Sequence, residues 1–63
     1  MAMSRRNYVA VAAIIADEVA AYPTDPIAQT VIRNFAERMA DTFEEDNARF
    51  DRERFLTACG LGE

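Results

Sequence analysis

Sixty-three residues leave room for a single domain, of a size that buries only about 60% of the surface its unfolded chain exposes. Eleven acidic residues against seven bases give a net charge of −4, and every base is Arg, with no Lys and no His; that balance argues against generic nucleic-acid binding, where affinity comes from neutralising phosphates. Cys59 is the only cysteine, which excludes an internal disulfide and a Cys-rich metal knot and leaves self-association or very good helix packing as the extra source of stability.

The first helix is announced by Ser4, a good N-cap, with Met3 placed to staple onto Tyr8. No Gly or Pro interrupts the chain from there to about Tyr22. Arg5-Arg6 before the apolar run from Tyr8 to Ala16 has the outline of a signal peptide, but Asp17 and Glu18 break the pattern. The run is also far short of the roughly 20 apolar residues that span a bilayer. A cytoplasmic location is therefore expected, with no membrane contact. Tyr8, Val11, Ile15, Val19 and Tyr22 form one apolar stripe, and Ile14 adds further apolar surface. Ala12, Ala13, Ala16 and Ala20 form a second, smooth face. A helix apolar over most of its circumference expects burial on more than one side. The Ala face is accordingly the expected self-association surface of a homodimer, against the plainer reading that Ala is simply a strong helix former left half exposed.

Pro23-Thr24-Asp25-Pro26 ends that helix and starts the next, Asp25 as N-cap and Pro26 in the first turn, where it forfeits no intrahelical bond. The second helix is predicted over about 25–46. Ile27, Ala28, Val31, Ile32, Phe35, Met39 and Phe43 share one face, and Gln29, Arg33, Asn34, Glu37, Arg38, Asp41 and Glu44 the other. Glu37, Arg38 and Asp41 supply ordinary surface pairs. Asn47-Ala48-Arg49 reads as a turn. A short third helix follows over about 51–59, capped by Asp51, with Phe50 stapled to Phe55 and Gly60 as its stop. Leu61-Gly62-Glu63 reads as a loose tail from which Leu61 is able to fold back onto the helix end.

The expected fold is all-α: an antiparallel pair of long helices, about 4–22 and 25–46, with a short third helix across one end, in a single domain over 1–63 that pairs into a helical homodimer. Its expected core is Tyr8, Val11, Ile15, Val19, Ile27, Val31, Ile32, Phe35, Met39, Phe43, Phe50, Phe55 and Leu56.

Chemistry is sparse. Without His, the usual general base and the Ser/His and Cys/His pairs are missing. Cys59 lies at a helix C-terminus, where the dipole disfavours a thiolate, and reads as a small buried apolar residue. The acids Asp41, Glu44, Glu45, Asp46 and Asp51 lack EF-hand spacing and a turn glycine. They read as a solvated helix end, so no metal or cofactor is expected. Arg49, Arg52 and Arg54 follow closely and are placed either to neutralise those acids or, with Phe50, to contact a partner, since Arg and aromatic residues dominate binding hot spots. A helix-turn-helix is disfavoured because the would-be recognition helix begins with Asp51 and carries Glu53.

The stretch from Asp46 to Gly60 carries the pattern Asp-Asn-x-Arg-Phe-Asp-x-x-Arg-Phe-Leu-x-Ala-Cys-Gly. In this it resembles the ending of small uncharacterised phage and prophage proteins of GC-rich bacteria. The opening, from Ser4 to Ala10, is similar except at Asn7, where Asp is expected, and in the tail Ala48 stands where Pro is expected. The resemblance implies a phage or prophage origin and action in the host bacterial cytoplasm, and it implies no activity. Most of the pattern is folding grammar; Arg49, Arg52 and Arg54 are what folding explains least.

The expected function is therefore that of a small non-enzymatic protein-interaction module, an accessory protein that binds a host protein through Arg49, Arg52 and Arg54. The alternative is a nucleic-acid-associated regulatory factor using Arg5, Arg6 and the Arg49 to Arg54 patch.

Overall fold

The computed structural model describes residues 4–62; the Met3 staple and the final Glu63 lie outside them. Among the described residues the chain is all-helical: α1 (Arg5–Ala21), α2 (Pro26–Asp46) and α3 (Arg52–Ala58), each packed on the other two. No helix among them is long and apolar enough to cross a membrane.

Local chemistry sets the start of each helix and the end of the last. Ser4 caps α1, and its N–H and hydroxyl both donate to Asn7 Oδ1, at 3.0 and 2.9 Å. Asn7 thus fills the third-residue role of a capping box. Asp25 Oδ1 accepts from the N–H groups of Ile27 and Ala28, both at 3.0 Å, and Asp51 Oδ1 accepts from Arg54 N–H at 3.0 Å. Gly60 closes α3 with φ +81°. There the Gly60 N–H bonds the Thr57 carbonyl and the Leu61 N–H bonds that of Leu56, each at 3.0 Å. That pair of bonds is a Schellman motif. It folds Leu61 back into the core, so of the two readings of the tail the fold-back of Leu61 holds and the loose tail is corrected. Gly62 then passes so close to Thr57 that a Cβ on it would meet the Thr57 Cα at 2.8 Å.

The core is densest at one end. Tyr8, Phe43, Phe50 and Phe55 form an aromatic cluster with ring centroids 4.8–5.5 Å apart, several of them edge-on. Such contacts add roughly 0.5–1.5 kcal/mol per pair beyond area burial. Ala12, Ala36, Ala40, Cys59 and Leu61 complete the buried set, and Val11, Ile15, Val19, Ile32, Met39, Phe50 and Leu56 pack against it. The expected core is wrong at three positions. Ile27 is 77% exposed, Val31 50% and Phe35 67%, while the unremarked Ala36 and Ala40 are wholly buried. Close helix approach selects small side chains at the contact line, and that turns the row at positions 27, 31 and 35 outward.

At the other end a polar contact closes the bundle. Gln29, expected on the polar face, donates from Nε2 to the carbonyls of Val19 at 3.1 Å and Tyr22 at 2.6 Å. Both carbonyls lie at the C-terminal end of α1 and also accept a backbone N–H, Val19 from Tyr22 at 3.2 Å and Tyr22 from Asp25 at 3.5 Å. Gln29→Ala is expected to destabilise the chain by about 1 kcal/mol, roughly the net worth of such bonds. A thermal melt followed by circular dichroism checks it, and an unchanged midpoint would show that water serves those carbonyls equally well.

Candidate functional site

Two surfaces stand out. The first is a cleft of about 450 Å³ between α1 and α3, whose lining includes Arg5, Tyr8, Arg49, Phe50, Arg54 and Phe55. Each arginine reaches it from a different element: Arg5 from the first turn of α1, Arg49 from the α2–α3 connection, Arg54 from α3. The connection is held in shape by Asn47, whose Oδ1 accepts from the Arg49 N–H at 3.0 Å. Asp51 also lines the cleft, but its carboxylate is engaged with the backbone of α3. None of the three guanidiniums is in an ion pair among the described residues.

Arg52 has a different fate, and the expected trio divides. Its guanidinium turns to α2, where it pairs with Asp41 and, at 3.4 Å, with Glu44, and donates to the Glu37 carbonyl at 3.4 Å. The hydrogen bond that Arg52 donates to Asp41 is the main cause of an Arg52 pKa above its ordinary value. Arg52 is therefore a tether between α3 and α2, and Asp41 serves it instead of Arg38. Of the expected neutralisation of the acidic helix end, this pairing is the part that forms; Glu45 and Asp46 are in no ion pair among the described residues. Arg6 does not line the cleft.

Tyr8 contributes an oddity. The residue is only 8% exposed, and its hydroxyl is shut off from solvent with no hydrogen-bond partner among the described residues. Leaving such a group unpaired costs about 1–3 kcal/mol, so the ring sits there for its aromatic contacts and not for its hydroxyl.

The second surface lies on α2. Ile27, Val31 and Phe35 make an exposed apolar ridge at four-residue spacing. Beside it runs a groove of about 450 Å³ lined by Val31, Asn34, Phe35, Arg38, Met39 and Thr42.

The four alanines expected to mediate self-association do not stay together. Ala12 is buried inside the chain and out of reach of a second copy, Ala16 is half-buried, and only Ala13 and Ala20 are exposed. The expectation for Ala12 is thereby corrected: the space beneath it is filled by the chain's own core. Cys59 is wholly buried, and burial pushes its thiol up to about 11. No group of three His, Cys, Asp or Glu side chains among the described residues is arranged to hold a metal ion. Comparison with protein-family models, with curated proteins and with solved structures finds no match to this chain.

Proposed function

We propose that the chain is a non-enzymatic protein-interaction module that pairs with a second copy of itself through α2. The observation that carries this reading is the exposed row of Ile27, Val31 and Phe35. Three large apolar side chains in line on one helix, beside a groove, are the signature of a protein contact and not of a solvated surface.

A second copy suits this face for a geometric reason. Crossing two α2 helices in opposite directions about Val31 sets Ile27 of each copy opposite Phe35 of the other, beside the groove that Phe35 and Met39 line. Ridge and groove then interchange under a two-fold axis, as an isologous interface requires. A chain of 63 residues also gains most from such a partner. Within each copy we take α1 and α2 to run antiparallel, because Tyr8 meets Phe43 at one end and Gln29 reaches the Val19 carbonyl at the other.

From the resemblance of its C-terminal stretch to phage and prophage proteins we further infer that the module acts in a host bacterial cytoplasm and that its use is to bind a host protein. The pairing face on α2 and the arginine cleft on α1 and α3 involve different residues, so pairing leaves the cleft available.

Light scattering behind size-exclusion chromatography tests the pairing. The expected mass is twice 7.1 kDa, falling to the monomer value for Val31→Asp with Phe35→Asp, since burying two unpaired charges costs several kcal/mol. Ala16→Arg, which loads the α1 face instead, is expected to leave the dimer intact. A wild-type monomer at every concentration, or a dimer broken by Ala16→Arg and not by the α2 pair, overturns the assignment.

A further inference from the structure

We propose that the cleft between α1 and α3 is a binding site for an acidic peptide segment of a partner protein. Carboxylates engage Arg5, Arg49 and Arg54, and an apolar side chain lies against Phe50. This rests on reading the chain as a binding module and is independent of the pairing through α2.

The charge distribution is the first argument. The chain carries −4 overall, yet three of its seven arginines converge on one cleft without an ion pair among the described residues. Converging like charges repel, and an arriving anion relieves that repulsion. Arg52, their close neighbour in sequence, shows the contrast: its charge is fully used within the fold.

The lining is the second argument. Beneath the guanidiniums lies an aromatic floor supplied by Tyr8, Phe50 and Phe55, and Phe50 is only half-buried. A volume of about 450 Å³ falls within the roughly 300–1,000 Å³ of ligand sites, which combine an apolar lining with a few placed polar groups. Guanidinium forks grip carboxylates in bidentate fashion, so the site favours a segment that alternates acids with a bulky apolar residue.

The surroundings are the third argument, and they select a peptide over a nucleic acid. Asp51, which lines the cleft, is engaged with the α3 backbone, while Asp46 and Glu53 lie outside the lining, exposed and close to the cleft arginines in the chain. A polyanion that continues beyond the cleft runs into those acids, whereas a short acidic segment ends before them. Affinity for nucleic acid scales with the number of phosphates neutralised, and three arginines neutralise few.

The test is a fluorescence-anisotropy titration with a fluorescein-labelled octapeptide, Asp-Glu-Asp-Leu-Phe-Asp-Glu-Asp, beside an oligouridylate of equal charge. Saturable binding of the peptide is expected. It should weaken by about tenfold or more in Arg5→Ala with Arg54→Ala, as loss of two charge-assisted contacts requires. Arg6→Ala with Arg33→Ala removes the same charge from outside both the cleft and the α2 groove and is expected to leave binding within about twofold. Equal weakening by both pairs would reduce the effect to diffuse charge attraction and overturn the site. So would no saturation below about 1 mM peptide. Tighter, arginine-dependent binding of the oligouridylate would transfer the cleft to a nucleic-acid partner. Native mass measured on the same samples keeps a failure of pairing distinct from a failure of the cleft.

Discussion

Phe43→Ala is expected to abolish cooperative folding of this chain at room temperature. Phe43 packs against Tyr8, Phe50 and Phe55, with ring centroids at 5.0, 5.5 and 5.5 Å, and so joins all three helices and the connection between the last two. Removing a buried Phe side chain costs about 3–5 kcal/mol. A domain of this length holds roughly 3–9 kcal/mol in total, at 0.05–0.15 kcal/mol per residue. The loss therefore takes most or all of the stability. Phe35→Ala is the matched control when both chains are melted at a dilution at which light scattering gives the wild type as a monomer: the same chemical change on the same helix, made at an exposed ring, should then move the melting point by no more than a few degrees. Circular dichroism against temperature reads both. A cooperative, near-native melt for Phe43→Ala would mean that the aromatic cluster is not the centre of the core.

The contrast between Phe43 and Phe35 marks how far the fold was legible in the sequence. Helix ends were legible because they are written locally. Asp25 followed by Pro26, Asp51 behind Phe50, and Gly60 after the last turn of α3 each fix a boundary by bonds spanning only a few residues. The inward face of α2 was harder. Its apolar positions cover two adjoining faces, one through Ile32, Ala36, Met39, Ala40 and Phe43 and one through Ile27, Val31 and Phe35. Ranking by size favours the large residues, yet the helices meet over alanines. α3 spans only seven residues, too few to cover α2 along its 21; at about 1.5 Å per residue it reaches roughly a third as far. The N-terminal half of α2 is left open for that reason, and no periodicity within α2 reveals it.

The candidate site was legible as composition and not as arrangement. Arg49, Arg52 and Arg54 were recognisable as residues that capping and stapling leave unexplained. What divides Arg52 from Arg54 is the direction each takes from a short helix, while Arg49 precedes that helix. Arg52 sits on the side facing α2 and meets Asp41 and Glu44, while Arg49 and Arg54 join Arg5 on the side facing α1. Helical spacing does separate adjacent positions by about 100°, so 52 and 54 diverge. Which of the two meets the acids depends on how α3 is rotated, and the burial of Phe55 and Cys59 sets that rotation.

Alkaline titration is expected to weaken the wild-type chain by about 3 kcal/mol relative to Cys59→Ala. Cys59 is wholly buried, and burial raises its thiol from 9.0 to about 11; its place at the C-terminal end of α3 also disfavours a thiolate. The neutral thiol is thus favoured by the folded state. Its contribution is fully present below pH 9, where both states keep the proton. It is lost progressively as pH rises to about 11, because the unfolded chain ionises first, and it changes no further above that. A shift of two pH units corresponds to about 3 kcal/mol, a large part of what a chain this small can hold. Subtracting the Cys59→Ala curve removes the contribution of every other titrating group, so the difference in denaturant midpoints between pH 8 and pH 11 reports Cys59 alone. Parallel curves would show that the thiol is hydrated in solution, and a core open to water at Cys59 would not hold Leu61 against the end of α3. The same burial predicts that a thiol reagent at neutral pH reacts only as fast as the chain opens, which makes Cys59 part of the packing and leaves the molecule's chemistry to its arginines.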